Sequence, residues 1–465
     1  MKKLLNAYGT LILPGLLGIP AGAAIGAVDT LFGRVLLEIT DVRNSHPFWF
    51  IPFLAIAGIL ITWCYSRFGG KSAKGMGLIF EAGHGQEKNI PLRLIPFVIS
   101  GTWLTHLFGG SAGREGVAVQ IGAALAHGYG KALAAVRARL FTGRVLQPAD
   151  NTPGDGRAAI TSDNAAKSVQ PQPSIAADNN DLPGILLVAG MAAGFAGLFQ
   201  TPIAAIFFAL EVLVAGELRY RALFPAFTAA FTASAVSGAL GLEKFTFALS
   251  QGLGALAGSG PGNTEPLLSL NPAFIFKLIL LGMIFGIVGG AFAWALKSAK
   301  HILQNKFKNP LVRIAVSGIA LSILFLILFK GRYCGLGTNL IESSFDGGSI
   351  YSFDWLMKFL LTILTLSAGF QGGEVTPLFS IGASLGVILA PILGLPAMLT
   401  AALGYAAVFG GATNTLLAPV FIGAEVFGCE WLPCFFVVCV ISYLFNHNKS
   451  IYTLQKLSAA VKGKA

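Results

Sequence analysis

The sequence predicts an all-α, polytopic integral membrane protein built from two inverted-topology repeats with broken, re-entrant helices. Three observations lead there: an apolar composition, a succession of membrane-length apolar stretches, and a segment that recurs within the chain. Of 465 residues, 54% are hydrophobic and 11% charged, with a mean hydropathy of +0.72. A water-soluble domain has about a quarter of its residues charged. A nucleic-acid binder is excluded on pattern: the formal charge of +11 is spread over loops, with no basic stripe and interleaved aromatics.

Apolar stretches recur at 8–38, 47–63, 92–108, 184–214, 222–241, 272–296, 311–329, 355–370, 376–393 and 431–445. Many reach the roughly 20 residues that a spanning helix needs. Others are short or interrupted by some of the 58 glycines and 22 prolines, and interrupted helices in a membrane commonly line a binding site. The first 26 residues, with Lys2, Lys3 and small residues around Ala21–Ala24, share features with a signal peptide, but the apolar stretch continues to Leu37. A first membrane helix is therefore expected. Cys64, Cys334, Cys429, Cys434 and Cys439 have no zinc spacing and read as small hydrophobes. His46, His84, His106, His127, His301 and His447 fall in no ligand spacing, so no metal is expected.

Lysine and arginine concentrate at the N-terminus, at 67–74, 131–167, Arg219 and Arg221, 297–313, and the tail at Lys449, Lys456, Lys462 and Lys464. The positive-inside rule places these segments, and both termini, in the cytoplasm. Segments 38–47 and 245–271 are poorer in cations and lie outside. Residues 142–182 are polar, with almost no aromatics, and are expected to form a cytoplasmic insert without fixed structure. Deleting about 145–180 is expected to leave a folded, active protein, because so polar a segment contributes no core. Loss of assembly or flux in the deletion variant would assign the insert a function.

Residues 192–212, AAGFAGLFQTPIAAIFFALEV, align without gaps on 406–426, AAVFGGATNTLLAPVFIGAEV. Phe195, Gly197, Thr201, Phe207 and Glu211 recur as Phe409, Gly411, Thr415, Phe421 and Glu425. Upstream, 113–125 aligns on 373–385, matching Gly113 to Gly373 and Ile121-Gly122-Ala123 to Ile381-Gly382-Ala383. The first-half connection is basic, with Lys131, Arg137, Arg139 and Arg144, whereas its counterpart at 391–399 is uncharged. Equivalent loops thus lie on opposite sides, which is the pattern of an inverted repeat with its site near the midplane. The recurrence of Glu211 as Glu425 predicts equivalent structural hydrogen bonds to backbone in each half.

Gly113-Arg114-Glu115-Gly116-Val117 opens an apolar helix with a carboxylate at its first turn. The glycines let an anion approach the free N–H groups, where the helix dipole favours negative charge. Glu115 competes for that same position and gives way to an anion when protonated, so one residue can couple an anion to a proton.

Gly-Arg-Glu-Gly followed by Val-Gln-Ile-Gly resembles the signature of the CLC family of chloride channels and chloride/proton exchangers, and the inverted repeat is similar to that family's plan. The likeness extends to Pro202 through Glu211, Gly372-Gly373 and Tyr452. The chain stops soon after Tyr452, so the paired regulatory domains (CBS domains) of many eukaryotic relatives are not expected. Four departures resemble the fluoride/proton antiporter branch. Gly75-Met76-Gly77-Leu78-Ile79 stands for Gly-Ser-Gly-Ile-Pro, Val117 for a proline, Gly372-Gly373-Glu374-Val375-Thr376-Pro377 for Gly-Gly-Ile-Phe-Ala-Pro, and Val212 for an inner proton-carrying glutamate.

The resemblance implies a CLC-type fold with halves at 1–297 and 298–446 and a cytoplasmic segment at 447–465. It implies Glu115 as the gating, proton-carrying carboxylate, and Glu374, Val375 and Thr376 as the second-half part of the site. Gly75, Met76, Gly113, Arg114, Gly116, Val117 and Tyr452 complete the anion pathway. Exported fluoride and inward protons, a plasma-membrane location, a homodimer with one pore per subunit and no cofactor follow from the same likeness. The alternatives are a chloride/proton exchanger or a chloride channel, against which Met76, Glu374 and Val212 argue, and a membrane-embedded enzyme. For the last, the sequence shows no nucleophile, metal or acid–base set.

Overall fold

A computed structural model describes residues 2–141, 181–250 and 271–458. Almost all of the polar insert lies outside these residues. The first half contains α1 (Lys2–Ser45), α2 (Leu54–Cys64), α3 (Met76–Gly83), α4 (Leu94–Leu107), α5 (Glu115–Phe141), α6 (Leu182–Phe199), α7 (Pro202–Glu211) and α8 (Leu223–Ala239). The second contains α9 (Pro272–Lys306), α10 (Pro310–Ile327), α11 (Thr338–Phe345), α12 (Asp354–Ala368), α13 (Val375–Leu393), α14 (Ala397–Thr413), α15 (Leu417–Phe427) and α16 (Leu432–Phe445). Among the described residues, seven helical segments are long and apolar enough to cross a bilayer. Several short helices pack between them, as the broken stretches predict.

Local chemistry sets the boundaries. Asn271 and Asn309 each accept a first-turn N–H, from Phe274 at 2.8 Å and Leu311 at 2.9 Å, and a proline follows each. That is the preferred helix start. The apolar run 184–214 reads as one stretch but folds as two helices, because Gln200 adopts a left-handed conformation, φ 55°, ahead of Thr201-Pro202. Its repeat mate Asn414, also at φ 55°, breaks α14 from α15 in the same way. Residues 397–413 were not among the apolar stretches: α14 is rich in alanine and glycine, yet nearly every residue of it is buried.

Inside a bilayer no hydrophobic force draws helices together, so close packing of small residues does the work. On α1, Gly18, Gly22 and Gly26 bring its backbone against Thr228, Ala229 and Ala233 of α8. The device recurs with Gly282, Gly286 and Gly290 of α9 against Val438 and Ser442 of α16 and Asn446 just past its end. Gly122 meets Gly190 backbone to backbone, as Gly382 meets Gly404, and a side chain at any of the four would collide with a carbonyl oxygen.

Repeat-related residues meet where the halves join. Gly113 and Gly373 form an antiparallel bridge, with N···O distances of 2.5 and 2.8 Å. Phe207 stacks on Phe421, centroids 4.6 Å apart and planes 12° from parallel. Glu211, at the end of α7, accepts the N–H groups of Leu416, Leu417 and Ala418 at the start of α15, at 3.1, 3.2 and 2.8 Å. Glu425 of α15 returns the interaction, accepting Ile203 and Ala204 of α7 at 3.1 and 2.8 Å. Each carboxylate therefore sits on the positive end of the other repeat's helix. The tail is held by a parallel pair, β1 (Val214–Ala215) with β2 (Lys456–Leu457).

Candidate functional site: a buried carboxylate beside a cavity

The bridge between Gly113 and Gly373 points the N-termini of α5 and α13 at one place. Glu115 occupies it, fully buried. Its Oε2 accepts the backbone N–H of Arg114 and of Thr376, both at 3.0 Å, and its Oε1 accepts a short hydrogen bond from the Thr376 hydroxyl. The carboxylate thus fills a seat built from two helix ends, one in each repeat, where the partial positive charges converge. The Arg114 Nε lies 4.0 Å from Oε1. Glycine is required at 113, since a Cβ there would lie 2.7 Å from Glu115 Oε2 and 2.9 Å from Pro377.

Beside this carboxylate lies a cavity of about 310 Å³. Gly75, Met76, Gly116, Glu374 and Tyr452 all line it, from four separate stretches of chain. Met76 is the first residue of α3, which follows Gly75 at φ 53°, a conformation suited to glycine. Tyr452 is held by stacking on Phe80, centroids 5.2 Å apart, and by the Ile451 N–H to Ala412 bond of 2.9 Å. Glu374 flanks the first turn of α13 without capping it, and its carboxylate projects towards Gly116.

Val117 and Val375 are fully packed in the core and offer the site only backbone. Arg114 does not line the cavity; its guanidinium lies beside the Glu115 carboxylate. Gln120, Lys300 and Gln371 line the cavity too and were not singled out in the sequence. Gln120 was findable, one turn beyond Gly116 and bonded to its carbonyl at 3.0 Å. Lys300 sits in the basic stretch 297–313, where it cannot be told from a lysine that marks topology. Lys74 at the mouth is neutralised by Glu81 at 2.7 Å, whereas Lys300 makes no ion pair among the described residues.

Two inverted repeats that aim helix ends at a buried carboxylate above a polar cavity define a membrane transporter for small anions. The comparisons agree. The family model described as voltage gated chloride channel matches residues 57–447. The chain is 33% identical over 453 residues to the chloride/fluoride channel protein of Pseudomonas syringae pv. tomato, covering 96% of this chain and 86% of that one. It is 49% identical to a solved CLC-type fluoride/proton antiporter, with a TM-score of 0.82 and coverage of 96% and 98%. A slow cyanobacterial Cl⁻/H⁺ antiporter, 18% identical, shares the fold at a TM-score of 0.68, covering 96% of each chain. The chain belongs to the CLC family of voltage gated chloride channels and their transporter relatives.

Proposed function

We propose that this protein exports fluoride from the cytoplasm in exchange for protons, with Glu115 as both gate and proton carrier. The placement of Glu115 carries the reading: a titratable carboxylate sits on backbone donors that would otherwise receive an anion. Protonation removes its charge and its claim on those donors, so fluoride enters as the acid leaves. Fluoride then meets Thr376 and the N–H groups around Gly113, Arg114, Gly116, Val117 and Val375. Tyr452 supplies a phenolic donor on the inward side. Glu374 is the carboxylate on the cavity wall, and it takes the inward role in proton handling that Val212 cannot fill.

The same reading places both termini in the cytoplasm and the protein in the plasma membrane. The bridge and the reciprocal glutamates support two halves, but α9 runs unbroken through the expected boundary between 1–297 and 298–446, so the junction is placed ahead of Pro272 and the tail is kept at 447–465; a homodimer is the assembly that the resemblance implies. The direct test is flux from proteoliposomes, with fluoride, chloride and proton movement followed together. Fluoride moving without protons would make the protein a channel. Chloride moving as fast would make it a general anion carrier.

Met76 stands where chloride-handling relatives carry a serine hydroxyl, and selectivity is a difference between two binding free energies. Met76→Ser is expected to lower the ratio of fluoride to chloride flux while the fold persists. An unchanged ratio would remove Met76 from the pathway.

A further inference from the structure

The cavity beside Glu115 draws its wall from residues 73–77, the C-terminal part of α9 and the tail at 451–454, among others. Each of these belongs to a lysine-bearing segment that the positive-inside rule places in the cytoplasm. An anion entering from that side meets three charged side chains in the wall: Lys74, Lys300 and Glu374. Lys74 is already satisfied, with its Nζ 2.9 and 2.7 Å from the two carboxylate oxygens of Glu81. Lys300 has no carboxylate within ion-pair distance among the described residues. Its charge is therefore the one positive charge in the wall that no neighbouring carboxylate neutralises.

The placement of Lys300 is specific. Lys297, one turn earlier on α9, lines a neighbouring cavity of about 550 Å³ and is absent from this one, while Lys300 lines this one and is absent from the other. Tyr452 and Thr453 of the tail stand in the wall of both. Lys297 is exposed, whereas Lys300 is half-buried. Two lysines that are alike in the sequence thus fall on opposite sides of the tail, and one of them shares a chamber with Met76, Glu374 and Tyr452.

We propose that Lys300 is the residue that captures fluoride from the cytoplasm, concentrating it in the cavity that Tyr452 lines before Glu115 gives way. The inference rests on the fluoride/proton reading given above. Glu374 in the same wall would repel a fluoride ion, and Lys300 supplies the opposite charge, so a proton-handling carboxylate and an anion can use one chamber. A cleft with low-dielectric walls focuses the field of such a charge and raises the local concentration of its counter-ion about tenfold or more. Lysine suits the task because its ammonium is a compact charge on a flexible stem and follows a small ion without fixing it.

The test is Lys300→Met, which keeps the length of the stem and removes the charge, measured beside Lys300→Arg, which keeps the charge. Lys297→Met is the control for the general potential of the basic surface. Flux is recorded in vesicles holding the protein in one orientation, with fluoride varied on one face at a time. Lys300→Met is expected to raise the half-saturating fluoride concentration on the cytoplasmic face about tenfold, with the maximal flux, the outer-face value and the protons moved per fluoride unchanged. Lys300→Arg should restore the wild-type value, and Lys297→Met should stay close to it. Impermeant gluconate salt at about 1 M, where the screening length is ~3 Å, should shrink the gap between Lys300→Met and wild type. An unchanged cytoplasmic half-saturation in Lys300→Met, or an equal rise in Lys297→Met, overturns the proposal. Wild-type protein in the same vesicles reports separately on the antiport reading: fluoride moving without protons there would defeat that reading, and the one-sided effect of Lys300→Met would still test capture.

Discussion

Glu115→Gln is expected to leave a folded protein in which fluoride movement no longer carries protons. The glutamine fills the same volume and still accepts a hydrogen bond through its carbonyl oxygen, so the seat between Arg114 and Thr376 keeps its shape. It loses the charge and the ability to titrate, and therefore mimics the protonated form permanently. Proton movement coupled to fluoride should fall to background, whether the residual fluoride flux stops or turns passive. Parallel recordings of vesicle pH and external fluoride decide it. Stoichiometric exchange by this variant would remove Glu115 from the mechanism.

Glu211→Ala is expected to act on the fold and not on coupling. It strips acceptors from three N–H groups at the buried start of α15, and each orphaned buried donor costs about 1–3 kcal/mol. The three are not independent, so a total loss of about 3–5 kcal/mol is the reasonable scale for removing one side of a buried charged interaction. Thermal unfolding in detergent should shift down clearly, with Glu211→Gln intermediate. Protein that survives should keep the wild-type ratio of protons to fluoride. A normal melting temperature combined with lost coupling would mean that Glu211 carries protons.

The sequence showed the repeat because both halves must solve the same problem. Gly122 against Gly190 and Gly382 against Gly404 admit no side chain, and Glu211 and Glu425 each serve the other's helix, so the pattern survives in the residues themselves. Glu115 and Glu374 were legible for a related reason: a carboxylate in an apolar surrounding is expensive and needs a purpose. α14 was harder to see. Alanine and glycine pack tightly without being strongly hydrophobic, and the helix is buried in protein instead of facing lipid.

What the sequence hid depends on where helices point in space. Lys300 is one of many lysines near a basic mouth, and only the packing of α9 beside the tail brings it to the cavity.

The central claim is that fluoride and protons cross in opposite directions on one carrier. Vesicles loaded with fluoride, at equal pH inside and out and with the membrane voltage clamped to zero, test it most directly. Passive leak of the neutral acid carries protons outward with fluoride and makes the interior alkaline. Exchange carries protons inward against no gradient, so the account predicts that the protein makes the interior acidic while fluoride leaves. A protein-dependent fluoride efflux with no such acidification would contradict it.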